Sequence, residues 1–376
     1  MGAEGLIAGR LRFRGKMAVT AVAVSFFVMI VAVAISGGFR REIRNAVSAA
    51  CGDVALSASS TNYYGETDPV SSGEDDIRSI LENGGVRSVT PAVYRAGVVK
   101  AGDDICGVLV KGIPVEDTVA LGVKIPVRLA NAMKLAVGDD MLTYFIGENV
   151  KLRKFKVAGI YDNPVEAGEQ MVVYASISDM RRLNGWSGSE ASVLELSLDE
   201  KLRTREGMRS VAADFSTDYV ALSTPDRYSQ IFDWLDLIDF NVVAILILMT
   251  VVAGFNMISG LLILLFQNVS TIGILKSVGM TDRSISRVFL KVSARLVALG
   301  MLAGNAAALL FCAFQAATHL IKLNPENYFV SFVPVSVNLP LVLAADAIAF
   351  VVIMLLVLIP TAFISRMDPA LTAKAE

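Results

Sequence analysis

The chain has 376 residues, of which 54% are hydrophobic and only 19% are charged. This composition excludes a soluble globular protein and indicates an integral membrane protein. The formal net charge of -2 gives no sign of a nucleic-acid partner, and three cysteines are too few for a disulfide scaffold.

A charged amino end precedes the first long apolar segment. Basic residues cluster between positions 10 and 16, and the run 17–39 that follows has no charged residue. The run is longer than the apolar core of a typical signal peptide, and 35–38 is a poor cleavage site. We therefore interpret 1–16 as a cytoplasmic segment and 17–39 as the first membrane span. The arginines at 40–44 disagree with this orientation, because basic residues should be scarce outside.

From 40 to 239 the pattern changes to that of a soluble domain. Short runs of alternating apolar and polar residues predict strands, and segments with helical periodicity predict helices. The predicted strands are 54–57, 93–99, 105–110, 141–146, 154–160, 171–174 and 193–198. The predicted helices are 74–81, 127–135, 177–183 and 200–215. This mixture indicates an α+β domain with connecting helices at its ends.

The helix that leaves this domain is expected to run into the second span. The large apolar residues of 229–239 fall on one helical face. No strong helix breaker separates them from the apolar run 240–266. A continuous helix would form a rigid connection between the domain and the membrane.

A polar and basic segment, 267–291, interrupts the apolar sequence in the second half of the chain. The flanking segments 240–266 and 292–321 exceed the roughly 20 residues that cross a bilayer, so they are predicted as the second and third spans. Basic residues in the interruption outnumber the acidic Asp282, which predicts a cytoplasmic loop.

The loop is itself patterned as two helices. Its apolar residues recur at helical spacing, and Gly279 can end a short helix. Thr281 or Asp282 can cap the helix that leads back into the membrane. A short helix under the membrane offers a surface on which a cytoplasmic partner can act.

The last part of the chain predicts a fourth span. We expect an external loop at 322–338, the fourth span at 339–365 and a cytoplasmic tail at 366–376, with both termini in the cytoplasm. Gly300 and Gly304 in the third span have a spacing that permits close helix contact. The predicted fold is an α+β integral membrane protein with four transmembrane helices. Its large extracytoplasmic domain lies between helices 1 and 2.

The sequence contains no catalytic constellation. The single histidine excludes a two-histidine metal site, and no G-x-x-x-x-G-K-[ST] phosphate loop occurs. We therefore expect no enzyme activity and no cofactor in this chain. Cys51 and Cys106 either form a disulfide or remain two buried free thiols.

Three polar residues lie inside the predicted spans. Asp346 is near the start of the fourth span, where a carboxylate is costly unless it is paired. It either faces the bundle as a gate or substrate-path residue, or lies at a helix end and reaches the external interface. Asn256 and Asn305 are expected to form hydrogen bonds between helices.

The sequence IGILKSVGMTDRSISRVFL, residues 272–290, resembles the conserved loop of ABC transporter permeases of the LolC/LolE, MacB and FtsX superfamily. In that superfamily the short segment is the coupling helix, seated in a groove of the ATPase dimer. Other segments resemble the lipoprotein-releasing LolC/LolE permeases in particular. They are 5–13, 129–145, 155–162, 255–258, 328–338 and 367–371.

The resemblance implies that the chain lies in the inner (cytoplasmic) membrane with the domain 40–239 in the periplasm. It also implies several partners. They are a separate ATPase of the LolD type that holds ATP and Mg, a second permease copy or paralogue, a lipoprotein substrate, the lipid bilayer and a periplasmic carrier of the LolA type. The implied ATPase-coupling residues are Val269, Ile272, Gly273, Ile274, Leu275, Lys276 and Gly279. The implied carrier-contact hairpin contains Tyr144, Gly147, Glu148 and Asn149. It lacks the proline-bearing extension of the LolC-like member, which puts carrier recruitment by this route in doubt.

The preferred hypothesis is a permease subunit that uses a partner ATPase to release lipoproteins from the inner membrane for transfer to the outer membrane. One alternative is a MacB-like exporter of peptides, drugs or glycolipids, although the resemblance to MacB itself would require a fused nucleotide-binding domain. Another alternative is FtsX-like mechanical signalling to a cell-wall hydrolase.

Overall fold

The computed structural model describes residues 16–58, 68–101, 104–114, 121–145, 150–162, 171–324, 328 and 330–364. The chain divides into two compact units. We call them the helical unit (1–41, 235–321 and 333–376) and the α+β unit (42–234 and 322–332).

The helices of the described residues are α1 (Lys16–Cys51), α2 (Glu74–Leu81), α3 (Val127–Met133), α4 (Ile177–Asn184), α5 (Arg205–Asp214), α6 (Thr224–Arg227), α7 (Ser229–Gln267), α8 (Val269–Ser277), α9 (Asp282–Thr318) and α10 (Leu339–Ile364). The strands are β1 (Val54–Ser57), β2 (Val70–Ser71), β3 (Val86–Ala101), β4 (Asp104–Ile113), β5 (Gly122–Pro126), β6 (Asp140–Phe145), β7 (Lys151–Tyr161), β8 (Val172–Ser176), β9 (Glu190–Ala191), β10 (Val193–Leu198) and β11 (Val220–Ser223).

Helices α1, α7, α9 and α10 are long and apolar enough to cross a membrane. This confirms the predicted architecture of four spans with an α+β domain between the first and second. Helix α7 is unbroken along its 39 residues, so the segment 229–239 continues into the second apolar run. Helix α9 ends at Thr318, before the predicted end at Ile321, because His319 adopts a left-handed conformation with φ 47°.

Within the helical unit, α1 and α9 approach closely at two glycines. A Cβ atom at Gly304 would lie 2.4 Å from the carbonyl oxygen of Ala23, and one at Gly300 would lie 2.7 Å from Val22 Cγ1. Small residues permit this backbone separation, which dispersion contacts then stabilise. The surrounding core includes Phe26, Met29, Ala253, Met257, Leu261, Val297, Ala349, Ile353 and Val357.

The first arginine after the predicted first span is paired within the helical unit. Arg40 Nη2 contacts the Asp236 carboxylate at 3.2 Å and also contacts Asp239. The Asp239 carboxylate in turn accepts a hydrogen bond of 2.5 Å from the Ser36 hydroxyl. The acidic residues of α7 therefore neutralise the charge of Arg40. The position of this arginine is then a weaker objection to the predicted orientation of the first span.

In the α+β unit, nine described strands form one sheet in the order β11-β1-β10-β3-β4-β8-β5-β7-β6. Strand β6 also pairs with β3, so β3, β4, β8, β5, β7 and β6 close into a ring. The buried core of these strands and of helices α3 and α4 includes Val93, Val110, Val123, Ile125, Leu129, Met141, Phe145, Phe155, Val173 and Met180.

Three further differences from the predicted elements are local. The helix predicted at 200–215 begins only at Arg205, because Thr204 is its N-cap and accepts a hydrogen bond from Gly207 N. Strand β5 is missing from the prediction because it is short and contains glycine and proline. Strand β11, VALS, lies in a segment that the sequence indicates only as a connection to α7.

A charged cluster is buried in the α+β unit. Lys111 Nζ contacts Glu195 Oε2 at 2.8 Å and donates a hydrogen bond of 2.5 Å to the carbonyl oxygen of Ala50 in the last turn of α1. The Tyr94 hydroxyl donates to Glu195 Oε1 at 2.5 Å. Burial, followed by the negative charge of Glu195, raises the pKa of Tyr94. The cluster ties the end of α1 to strands β4 and β10.

Cys51, Cys106 and Cys312 are free thiols in the structure. Cys51 is buried, whereas Cys106 is partly exposed, so the expectation that both unpaired thiols are buried is wrong for Cys106. Its neighbours Ile105 and Gly107, at the start of β4, are also exposed. Burial raises the pKa of Cys51 to about 11.

Candidate functional site

Helix α8 is separated from α7 and from α9 by residues whose backbone is not helical. Asn268, with φ -117° and ψ 21°, stands between α7 and α8. Gly279, with φ 92°, follows the end of α8, and glycine tolerates this conformation best. Thr281 occupies the N-cap position of α9. The predicted helix ending is therefore present. The Thr281 hydroxyl donates to Ser284 Oγ at 3.2 Å and accepts no hydrogen bond from the first turn of α9, so Thr281 has the predicted position but not the side-chain cap.

The inner face of α8 packs on the first turns of α9. Ile272 is only 5% exposed and belongs to one apolar cluster with Ile285 and Phe289. Lys276 Nζ contacts Asp282 Oδ1 at 2.9 Å, and the lysine side chain is largely covered. Through these two contacts α8 is attached to α9 as well as to α7.

The outer face of α8 carries exposed apolar side chains. Ile274 is 64% exposed and Val278, just after the helix, is 81% exposed. Exposed small or polar residues surround them: Ser270, Thr271, Ser277 and Gly279. Apolar side chains at the centre of a small polar surface are typical of a protein contact.

The predicted coupling residues thus occupy different environments. Ile274 and Gly279 are exposed, Ile272 is buried, and Val269, Gly273, Leu275 and Lys276 are half-buried. Val278 is absent from the predicted set, although its spacing of four residues from Ile274 on a helical pattern is a signal for it. The roles of these residues remain predictions.

The predicted hairpin is only partly within the described residues. Tyr144 lies in β6, is half-buried and pairs in register with Leu152 of β7. Gly147, Glu148 and Asn149 lie outside the described residues. The carrier-contact role of the hairpin therefore stays a prediction.

Two of the three intramembrane polar residues, Asn305 and Asp346, are in contact. Asn305 Nδ2 in α9 donates to Asp346 Oδ2 in α10 at 2.5 Å, and Asp346 is 5% exposed. Asp346 thus faces another span instead of reaching for an interface, and Asn305 forms the predicted interhelical hydrogen bond. Asn256 is half-buried, and in the described part of the chain its side chain forms no hydrogen bond.

Among the residues that the structure describes, no group of three or more His, Cys, Asp or Glu side chains is arranged to hold a metal ion. The candidate site is the outer face of α8, which carries the exposed side chains of Ile274 and Val278.

Two family models match the chain. A model of the MacB-like periplasmic core domain matches residues 17–216, which is more than half of the chain. A model of the FtsX-like permease C-terminal region matches residues 243–369, which include α8.

Curated relatives match over nearly the whole length. A lipoprotein-releasing system transmembrane protein LolC from Xylella fastidiosa (strain 9a5c) is 22% identical over 401 residues, covering 98% of this chain and 95% of the relative. The protein of the same name from Neisseria meningitidis serogroup B is 24% identical over 411 residues, with the same coverage. Together with the four apolar helices, these relatives support a multi-pass protein of the inner membrane.

Solved structures are similar at a lower level. The periplasmic region of MacB from Actinobacillus actinomycetemcomitans has a TM-score of 0.33 and 13% identity, and covers 48% of this chain and 92% of that one. The extracellular domain of the transporter YknZ from Gram-positive bacteria has a TM-score of 0.28 and 12% identity, and covers 46% of this chain and 98% of that one. These TM-scores are too low to support any conclusion beyond the family matches. From the two family models, the chain belongs to the MacB/FtsX-like superfamily of ABC transporter permeases, and over nearly its whole length it is similar to LolC proteins of lipoprotein-releasing systems.

Proposed function

We propose that this chain is the permease subunit of an ABC transporter in which a separate ATPase drives the release of lipoproteins from the inner membrane for transfer to the outer membrane. The observation that carries the proposal is the outer face of α8, with exposed Ile274 and Val278. The LolC relatives, which cover 98% of this chain, support the choice of substrate.

The contacts of α8 provide a route by which movement of the ATPase can act on the membrane spans. The ATPase, which holds ATP and Mg, docks on the outer face of α8. Because Ile272 and Lys276 attach α8 to α9, and Asn268 joins it to α7, a displacement of α8 acts on both spans. Helix α7 has no break between Ser229 and Gln267, so it transmits the displacement along its whole length.

Other partners in the proposal are a second permease copy or paralogue, the lipoprotein, the surrounding lipid and a periplasmic carrier of the LolA type. Both termini lie in the cytoplasm in this arrangement, because α8 has to face the ATPase. The proposal assigns no reaction to the chain itself.

Co-purification tests the ATPase contact. We expect Ile274→Glu and Val278→Glu each to reduce recovery of the ATPase about tenfold or more, since each places a charge in an apolar contact. Arg283→Glu is the control, because Arg283 is exposed on the first turn of α9 and its reversal changes the charge by more. If only Arg283→Glu released the ATPase, the outer face of α8 would not be the docking surface.

Depletion in the native cell tests the substrate. After depletion, a tagged outer-membrane lipoprotein should be retained in the inner-membrane fraction within about one generation. Re-expression of the wild-type chain should restore sorting, whereas the Ile274→Glu variant should not. Normal lipoprotein sorting after depletion would reject lipoprotein release and favour an exporter or a mechanical signaller.

A further inference from the structure

The contact between Asn305 and Asp346 leaves two oxygen atoms without a partner. Asn305 Nδ2 donates to Asp346 Oδ2, which joins one end of the amide to one end of the carboxyl group. Asn305 Oδ1 and Asp346 Oδ1, at the other ends, are buried and have no hydrogen-bond partner among the described residues. Both atoms are acceptors when the carboxyl group is ionised, so neither can satisfy the other.

The surroundings of this pair are apolar. Ala308, one turn from Asn305 in α9, and Val342, one turn from Asp346 in α10, are buried in a cluster with Ile30 and Val33 of α1. A buried carboxylate in such surroundings is unfavourable unless it is paired with a positive charge or with several hydrogen-bond donors.

The four spans provide no such positive charge. The segments 17–39 of α1, 240–266 of α7 and 296–318 of α9 contain no charged side chain, and Asp346 is the only charged residue of α10. The thiol of Cys312, two turns from Asn305, is the titratable group nearest in sequence on α9. Arg295 is ten positions before Asn305, a helix rise of about 15 Å.

We propose that Asn305 and Asp346 form a proton-binding site that links the third and fourth spans. One proton, taken from water, resides on Asp346 Oδ1 and is donated in a hydrogen bond to Asn305 Oδ1. The carboxylic acid and the amide then form a cyclic pair with two hydrogen bonds. A single hydrogen satisfies both unpartnered oxygens and removes the negative charge from the apolar bundle, while no covalent bond other than O–H forms.

The proposal does not depend on the substrate or on the ATPase. It predicts that α9 and α10 are held by a neutral pair during function. It also predicts that an amide at position 346 can replace the acid, because two amides form the same cyclic pair.

Infrared spectroscopy tests the proton directly. The full-length wild-type chain, labelled with ¹³C-aspartate and reconstituted in lipid, should show at pH 7 a carbonyl band of a protonated carboxyl group. The Asp346→Asn variant should lose this band. Absence of the band from the wild type, or an identical band in the variant, would overturn the proposal.

Stability measurements provide a second test that does not depend on one variant. Asp346→Asn should keep the thermal midpoint within about 2 °C of the wild type. Asn305→Leu should lower it clearly, because the acid loses its partner, whereas Ala306→Leu at the adjacent exposed position should not. If Asp346→Asn were as unstable as Asn305→Leu, or if sodium ions raised the midpoint of the wild type alone, an ionised Asp346 would explain the site and the proposal would be rejected.

Discussion

The two units of this protein bury polar groups in different ways. In the α+β unit, Lys111 and Glu195 are oppositely charged, 2.8 Å apart and further bonded to Tyr94 and to a backbone carbonyl. In the helical unit, Asp346 has an amide as its partner and no positive charge in the described parts of the spans. A domain in water can bury a complete ion pair, whereas a bundle in lipid favours groups that are neutral as a pair.

The packing of the two units differs for the same reason. The α+β unit buries large side chains such as Phe145 and Phe155, which water drives together. Lipid exerts no such force between helices, so close contact at small residues contributes more. Gly300 and Gly304 provide that contact between α1 and α9.

The largest effect is expected from breaking the ion pair of the α+β unit. Lys111→Met leaves the buried carboxylate of Glu195 without its countercharge and should destabilise this unit by about 3–5 kcal/mol. Hydrogen exchange measured by mass spectrometry on the full-length chain should show faster exchange in β4 and β10.

Two controls separate charge pairing from general damage. Lys111→Met combined with Glu195→Leu should recover most of the lost protection, because both members of the buried pair are then uncharged. Lys154→Met removes a contact with Asp140 that is also 2.8 Å long but is exposed on both sides, and should change little. Equal effects of Lys111→Met and Lys154→Met would contradict our account of the buried pair.

A smaller effect is expected from filling the glycine contact of the helical unit. Gly304→Leu would place Cβ 2.4 Å from a backbone oxygen of α1, and overpacking typically costs about 1–3 kcal/mol. The thermal midpoint in lipid should fall. Ala303→Leu, at the adjacent exposed position of α9, is the matched control and should leave the midpoint nearly unchanged. If both variants behaved alike, close packing of α1 and α9 would not be important for stability.

The smallest effect is expected from thiol labelling, which needs no mutation. It compares how readily the structure opens around Cys106 and around Cys51. Cys106 is partly exposed, whereas Cys51 is buried and burial raises its pKa to about 11. At neutral pH, iodoacetamide should therefore modify Cys106 well before Cys51, as measured by peptide mass spectrometry. The Cys51 thiolate, and with it the labelling rate, should increase only as the pH approaches 11. Equal rates in the native protein would mean that the end of α1 opens freely.

Local patterns in the sequence predict much of the candidate site. Gly279 follows the end of α8 and Thr281 takes the N-cap position of α9, because both preferences depend on backbone geometry within a few residues. The inward position of Lys276 is different, because its contact with Asp282 depends on how α8 folds back on α9. Sequence periodicity also does not distinguish the exposed Ile274 from the buried Ile272, since the partner face of the helix is set by packing.

What the sequence determines is the class of the molecule: four apolar segments long enough to span a bilayer, an α+β domain between the first two, and a short helix in the basic loop. These features follow from hydropathy, length and turn chemistry, which act locally. Only the tertiary structure shows that Asn305 contacts Asp346, that Lys111 contacts Glu195, and that α1 packs against Gly300 and Gly304 of α9. These contacts join residues far apart in the chain, and their energies depend on burial that no local pattern records.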